Sequence, residues 1–454
     1  MNVRRLPGFI YNYKAATVFV FLAMLLLVYL LLHWGIVCTN LEAWRHVSNV
    51  LRTVVNRIQV RAAAAAAAVS CWKRGWKSRG GGEAANASAF GSRTGCSAHR
   101  KGGAIGILCD PLCSERGIHS LACETLHAGK EAVFSAHWET TRLVFKASRT
   151  RTPSNQYESL FWTDSSGNRR YPSEPDFARM IKVLIADKLN TTVSPLQLER
   201  LARLRTHRIE TEPSRRQLEM ENLWPLLQQN EYLMTIVYED RDIFPQMIGT
   251  CGTFYAVEYV RPIETPTTVL ALSDSKPEWA KRLKLAVMIM DLLEEFDSNF
   301  PEPIHLCDVK INHFGLPLGG QKLKFLDLDA VFPRTVISKV IGDGRDCQDH
   351  GDCDYFDCRS FCSKEKKCNG PVTNNNLQVI CEKIFLGWTL SGTIIIPGLL
   401  MSEHTTSSLA VLLRQCANPS GDLEHLSRAA VADKLKTRLH NMLREMEQKV
   451  SASL

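Results

Sequence analysis

HLCDVKINHF at residues 305–314 and FLDLD at residues 325–329 decide how this chain is read. In each, a short apolar run leads to an aspartate: Asp308 after HLC, and Asp327 after KLKFL, 19 residues later. An acid at the end of a short strand sits where the chain leaves the sheet, a place for chemistry rather than packing. Further out, the same placement recurs in order. Lys146 ends the strand-like RLVFK, Glu231 lies in a helix-like stretch, and Glu258 follows the apolar TFYAV. Taken singly, each reads as a surface lysine or a solvated carboxylate. Five such groups in one order, with two aspartates at short spacing, ask for a joint explanation.

The chain has 454 residues, 45% of them hydrophobic, 15 cysteines and a formal net charge of +8. That length suits one large or two ordinary domains with a substantial core. The charge is uneven: residues 1–101 carry 14 Lys+Arg against two acids, leaving 41 against 45 for the rest. The basic excess is an N-terminal arm, which excludes a nucleic-acid-binding surface spread over the folded part. Within that arm, residues 15–37 (AATVFVFLAMLLLVYLLLHWGIV) are 23 nearly uninterrupted apolar positions. A helix of that length spans the ~30 Å hydrocarbon layer and exceeds the ~7–15 apolar residues of a cleaved signal peptide. Arg4, Arg5 and Lys14 precede it without an acid. The expectation is a cytosolic tail at 1–14, a signal anchor at 15–37 and a low-complexity basic stalk at 38–95.

Cysteines favour an oxidising lumen beyond the anchor. They cluster at Cys96, Cys109, Cys113 and Cys123, and again at Cys347, Cys353, Cys358, Cys362 and Cys368. Zinc would ask for paired C-x2-C spacings; the chain has none, and one unmatched C-x4-C, Cys353 to Cys358. The second cluster is rich in Asp, Gly, Ser and Lys, the composition of a disulfide knot in a loop-rich segment. Cys251 and Cys307 are expected to be structural, paired or buried. The odd total implies a free thiol or an intermolecular bridge. Asn86 (NAS) and Asn190 (NTT) are glycosylation sequons, consistent with lumenal exposure.

Strand-like alternation begins at Leu126 with LHAGKEAVFSAHW and continues in TRLVFKAS. Residues 147–217 read as a polar insertion holding one helix, FARMIKVLIADKL. A helix (LWPLLQQNEYLMTIVYED), strands (QMIGTCG, TFYAVEYV), a long amphipathic helix (KPEWAKRLKLAVMIMDLLEEF), the knot and C-terminal helices follow. Strands first and helices afterwards give two unequal lobes of an α+β fold.

The ordered series resembles a protein kinase. That resemblance implies Lys146 for the α/β-phosphates, Glu231 as its partner in preference to Glu221, Asp308 as catalytic base with His305 and Lys310 of the same loop, and Asp327 as metal ligand. AVEYV around Glu258 matches the hinge that bonds adenine through its backbone. Cys307 stands where the catalytic-loop arginine is usual, and Leu328 and Asp329 replace the Phe and Gly of D-F-G. Of a three-glycine phosphate loop only Gly129 remains. The asparagine expected five residues after the base is His313, with Asn312 just before it. Imidazole prefers softer metals than Mg2+. Either Asn312 coordinates by a one-residue shift, or His313 serves with another metal, or the site is impaired; Asp329 adds a carboxylate that could hold a cation.

Together, the anchor, the cysteine clusters, HLCDVK, FLDLD and QMIGTCG resemble the divergent protein kinase domain 1 family of cysteine-rich type II membrane proteins of the endoplasmic reticulum. The resemblance implies an α+β, two-lobed protein-kinase-like fold with disulfide-rich insertions, preceded by one transmembrane helix, with an N-lobe at 96–258 and a C-lobe at 259–454 holding the knot at 347–368. It implies ATP with Mg2+ or Mn2+ as cofactors and a lumenal or secreted protein substrate phosphorylated on a hydroxyl. The setting is the endoplasmic reticulum membrane, with the Golgi as the alternative. A catalytically weak or inactive pseudokinase scaffold is the rival reading. Some members carry a calcium loop before the helix headed here by Trp224; RTHRIETEPSRRQLEMENLW lacks its alternating ligands and glycine.

Overall fold

The computed structural model describes residues 96–114, 117–125, 130–148, 159–204, 212–263, 275–320, 322–390, 393–421 and 427–454. The tail, anchor and stalk, with Asn86, lie outside them, as does Gly129. Among the described residues no helix is long and apolar enough to cross a membrane.

A short helix α1 (Cys109–Cys113) leads into strands β1 (Ile118–Thr125), β2 (Lys130–Trp138) and β3 (Thr141–Ser148). The strands expected from Leu126 onward are there as β2 and β3. The added strand β1 escapes period-two reading because its register slips between His119 and Ala122 and between Cys123 and Thr125, and Ser120 turns left-handed (φ 55°). A small hairpin, β4 (Trp162–Thr163) and β5 (Arg169–Arg170), precedes helices α2 (Glu174–Leu189) and α3 (Pro195–Leu201). Both helices begin with a serine whose side chain accepts a backbone N–H, followed by proline in the first turn, a strong start signal. Asn190 caps α2 in a left-handed conformation, and its exposed side-chain amide donates to Glu302 Oε1 at 2.9 Å.

The single helix expected over LWPLLQQNEYLMTIVYED is two: α4 (Pro213–Leu227) and α5 (Asn230–Val237). Gln229 is extended (ψ 125°) and starts α5 afresh, so Glu231 lies in a first turn rather than mid-helix. Helix α4 also runs unbroken through residue 217, where the polar insertion was expected to end. Strands β6 (Met247–Cys251) and β7 (Phe254–Glu258) complete an antiparallel sheet in the order β1-β2-β3-β7-β6.

After this sheet come β8 (Val260–Pro262) and α6 (Lys276–Ser298). Helix α6 buries Trp279, Leu283, Ala286, Met290 and Leu293, the three-and-four spacing of one helical face. Strand β9 (Ile304–Leu306), β10 (Phe314–Pro317), β11 (Lys324–Phe325) and β12 (Val331–Pro333) then form two small sheets, β11-β10-β8 and β12-β9. Helix α7 (Arg334–Ile341), the cysteine-rich loops, α8 (Asn376–Ile380), the hairpin β13 (Gly387–Leu390) and β14 (Thr393–Pro397), α9 (Ser407–Ala417) and α10 (Asp433–Ser451) follow.

Six disulfides are formed among the described residues: Cys96–Cys113, Cys109–Cys251, Cys307–Cys358, Cys347–Cys362, Cys353–Cys368 and Cys381–Cys416. Neither cluster closes on itself. Cys109 leaves the first for Cys251, and Cys358 leaves the second for Cys307. The Cys123 side chain lies outside the described ones. The whole is a mixed α/β, kinase-like, disulfide-bonded domain.

Candidate functional site

Strand β3 alternates, so Leu143 and Phe145 face one side of the sheet while Val144 and Lys146 face the other. Phe145 stacks on Phe134 in the core beneath α1. On the opposite face, register sets Lys146 between Val133 of β2 and Tyr255 of β7. Lys146 is 8% exposed and Glu231 3%, and the Nζ of Lys146 forms an ion pair with Glu231 Oε1. Nζ also donates to Leu326 O at 3.1 Å, the residue before Asp327. A buried ammonium is tolerable only with such partners.

Asn230, beside Glu231, donates through Nδ2 to Leu328 O (2.7 Å) and Val331 O (2.9 Å). Helix α5 therefore grips both the lysine and the 326–331 segment. Tyr255 is 1% exposed, edge-on to Tyr232. Burial, then Glu231, Asp329 and Asp327, push its phenol well above the usual range.

The segment holding Asp308, Lys310 and His313 hangs between β9 and β10. Strand β9 pairs with β12, and β10 pairs with both β8 and β11. Leu326 N–H donates to His313 O at 2.8 Å, so the two aspartate segments run side by side. His313 is 4% exposed, its Nδ1 2.9 Å from Asp308 O. A carbonyl only accepts, so Nδ1 carries the proton and Nε2 is left facing Asp327 Oδ2 at 3.4 Å. Burial, only partly offset by Asp327, holds this imidazole below the usual histidine range, which keeps the Nε2 lone pair available. Asn312 is exposed and lines the same cleft. Asp308 Oδ2 accepts from Lys310 Nζ at 2.7 Å. His305 is buried on β9, pushed down to about 4 by burial and by the Arg334 guanidinium.

The cleft holds about 190 Å3. Val133, Val144 and Val257 roof it beside Lys146; Asn312, His313, Leu326 and Asp327 form its floor; Glu258, Tyr259 and Val260 close the back. The Glu258 carboxylate is turned to structure: it accepts from Gln246 N at 2.9 Å and from Lys324 Nζ. Lys324, 3% exposed, also meets Asp242 at 2.8 Å.

Among the described residues, ligand atoms of Asp308, His313 and Asp327 lie within 4.8 Å of one another, as do those of Glu231, Asp327 and Asp329. Oxygen-rich sets of this kind suit hard divalent cations, and a histidine in the first shifts it toward Mn2+ over Mg2+. Lys146, Glu231, Asp308, Asp327 and His313 are thus brought together, with Asn312 and Asp329 at the rim. Sequence reasoning missed Tyr255, Asn230 and Lys324. Tyr255 shares strand parity with Val257 two positions on, the one signal that placed it on the cleft face.

Two family models match this chain. The protein-kinase domain of FAM69 matches residues 223–419, and the N-terminal cysteine-rich ER region of FAM69 matches residues 88–204. A solved structure, the complex of Rv3197 with erythromycin from Mycobacterium tuberculosis, aligns over 56% of this chain and 61% of that one. Its identity is 11% and its TM-score 0.23, a likeness that carries no argument.

Proposed function

We propose, for a chain that belongs to the FAM69 family through both its cysteine-rich part and its kinase domain, ATP-dependent phosphoryl transfer to hydroxyl groups of lumenal or secreted proteins. The observation that carries this reading is the buried Lys146–Glu231 pair, with Lys146 also bonded to Leu326 O beside Asp327, on the wall of a cleft lined by His313 and the 258–260 segment.

Phosphoryl transfer asks a protein mainly to position and neutralise. The valines of the roof would cover the adenine, and the backbone at 258–260 would meet its edge. Lys146 would meet the α/β-phosphates, held in reach by Glu231. A divalent cation bound with the nucleotide would supply neutralisation of phosphate charge. Asp327 would hold it, with His313 Nε2 in the place of the usual asparagine amide and Asp329 as a further carboxylate. Asp308, kept near Lys310, would take the hydroxyl proton of the acceptor. The disulfides support a secretory compartment, and the apolar run at 15–37 supports anchoring in the endoplasmic reticulum membrane with this domain lumenal.

The test uses the purified full chain. ATP with Mn2+ or Mg2+ should raise its melting temperature, by about 2.7 kcal/mol of stabilisation at a hundredfold excess over Kd. Asp327→Ala should remove that shift, and Asp308→Ala should keep the shift but lose phosphate incorporation. No shift in the wild-type chain would sink nucleotide binding; a shift without turnover would leave the pseudokinase scaffold.

A further inference from the structure

Asp357 sits in the cysteine-rich segment, outside the cleft lining, yet it holds the chain on both sides of Asp308. Its backbone N–H donates to Cys307 O at 2.7 Å, and its Oδ2 accepts from Val309 N–H at 2.8 Å. The following residue, Cys358, is bridged to Cys307. One dipeptide therefore secures the residue before the base covalently and by a hydrogen bond, and the residue after it by a second hydrogen bond. The carboxylate, in a residue 8% exposed, is matched by Lys383 Nζ at 2.9 and 2.7 Å, and Asp357 O accepts from Asn374 Nδ2 at 2.8 Å. A buried acceptor so fully engaged has no freedom to follow a shift of the loop, so the loop takes its position from Asp357.

We propose that Asp357, locked in place by the Cys307–Cys358 bridge and by Lys383, is the positioning residue for Asp308. This rests on the phosphoryl-transfer reading and assigns the task of holding the base to the disulfide-rich segment. Cys307, standing where an arginine is usual, then has a role: it replaces a charged contact with a covalent one. Both peptide neighbours of residue 308 are held, and its own carboxylate, bonded to Lys310 Nζ, takes no part in the clamp. Catalysis by positioning is sensitive to small displacements, with losses of about a hundredfold for shifts near 1 Å.

The experiment compares variants of the full chain with ATP, MnCl2 and dephosphorylated casein as the hydroxyl-bearing probe, reading phosphate incorporated into the probe and the ATP-induced melting shift. Asp357→Ala should lower kcat by about ten- to a hundredfold while the KM for ATP and the shift stay within about twofold. Asp357→Asn retains an oxygen for Val309 N–H and should recover most of that loss. Should Asp357→Ala not fold, Lys383→Gln frees the carboxylate without removing it, and should lower kcat several-fold at unchanged KM. A merely structural Asp357 would instead lower the melting temperature and leave kcat within about twofold in every folded variant, which overturns the assignment while the transfer reading stands. No phosphate transferred by the wild-type chain would overturn the transfer reading, and this assignment with it.

Discussion

Two disulfides join distant parts of this chain, and they brace different things. Cys109–Cys251 closes 142 residues and ties α1 to the end of β6, within the core on the far side of the sheet from the cleft. Cys307–Cys358 closes 51 residues and ends one position before Asp308. The same bond serves a sheet's core in one case and a loop in the other. Cross-link entropy depends on what is closed in the unfolded chain, whereas effect on chemistry depends on what stands next to the bond. The more stabilising bridge is therefore the one expected to matter less for turnover.

Replacing both cysteines should separate the two roles. Cys109→Ser/Cys251→Ser should cost about 5 kcal/mol by the loop-closure relation, read in denaturant unfolding, with kcat of the folded chain unchanged. Cys307→Ser/Cys358→Ser should cost about 4 kcal/mol and lower kcat as well. Equal effects on kcat from both pairs would break the contrast.

Acid should probe the second region through one residue. His305, at the entry to the catalytic loop, is held neutral with its pKa pushed down to about 4, against about 6.5 when unfolded. The unfolded chain binds the extra proton between those values, so stability is full above pH 6.5 and falls as pH drops towards 4. The loss is about 3 kcal/mol from this group. His305→Gln should flatten that part of a pH series of unfolding curves; a wild-type curve no steeper than the variant's would contradict the buried neutral imidazole.

The smallest effect concerns Phe356, 67% exposed with φ 53° in the turn that carries Asp357. Glycine takes this conformation without a steric cost, so Phe356→Gly should raise stability by about 1 kcal/mol. A loss of stability would mean that the phenyl edge against Tyr355 outweighs the backbone.

Much of the region after β7 was legible because its candidate site residues lie close in sequence. Asp308, His313 and Asp327 fall within two neighbouring strand pairs, so spacing alone brought them near. Lys146 and Glu231 were legible through strand parity and helix placement, although the break at Gln228 and Gln229 was not, because the polar QQNE also suits the exposed face of one continuous helix. Asp357 and the partner of Cys358 left no mark. Their contacts are 48 and 51 residues away, and neither composition nor period records a pairing across that distance.

Asn230 and Glu231 occupy adjacent positions on α5, one holding the carbonyls at 328 and 331, the other holding Lys146. A short helix carrying two such teeth behaves as a latch. An outward movement of it would break both sets of contacts in one step, because neighbouring residues make them. Any displacement of α5 that breaks these contacts therefore acts on Lys146 and on the chain beside Asp327 together, so that one short helix couples two walls of the cleft.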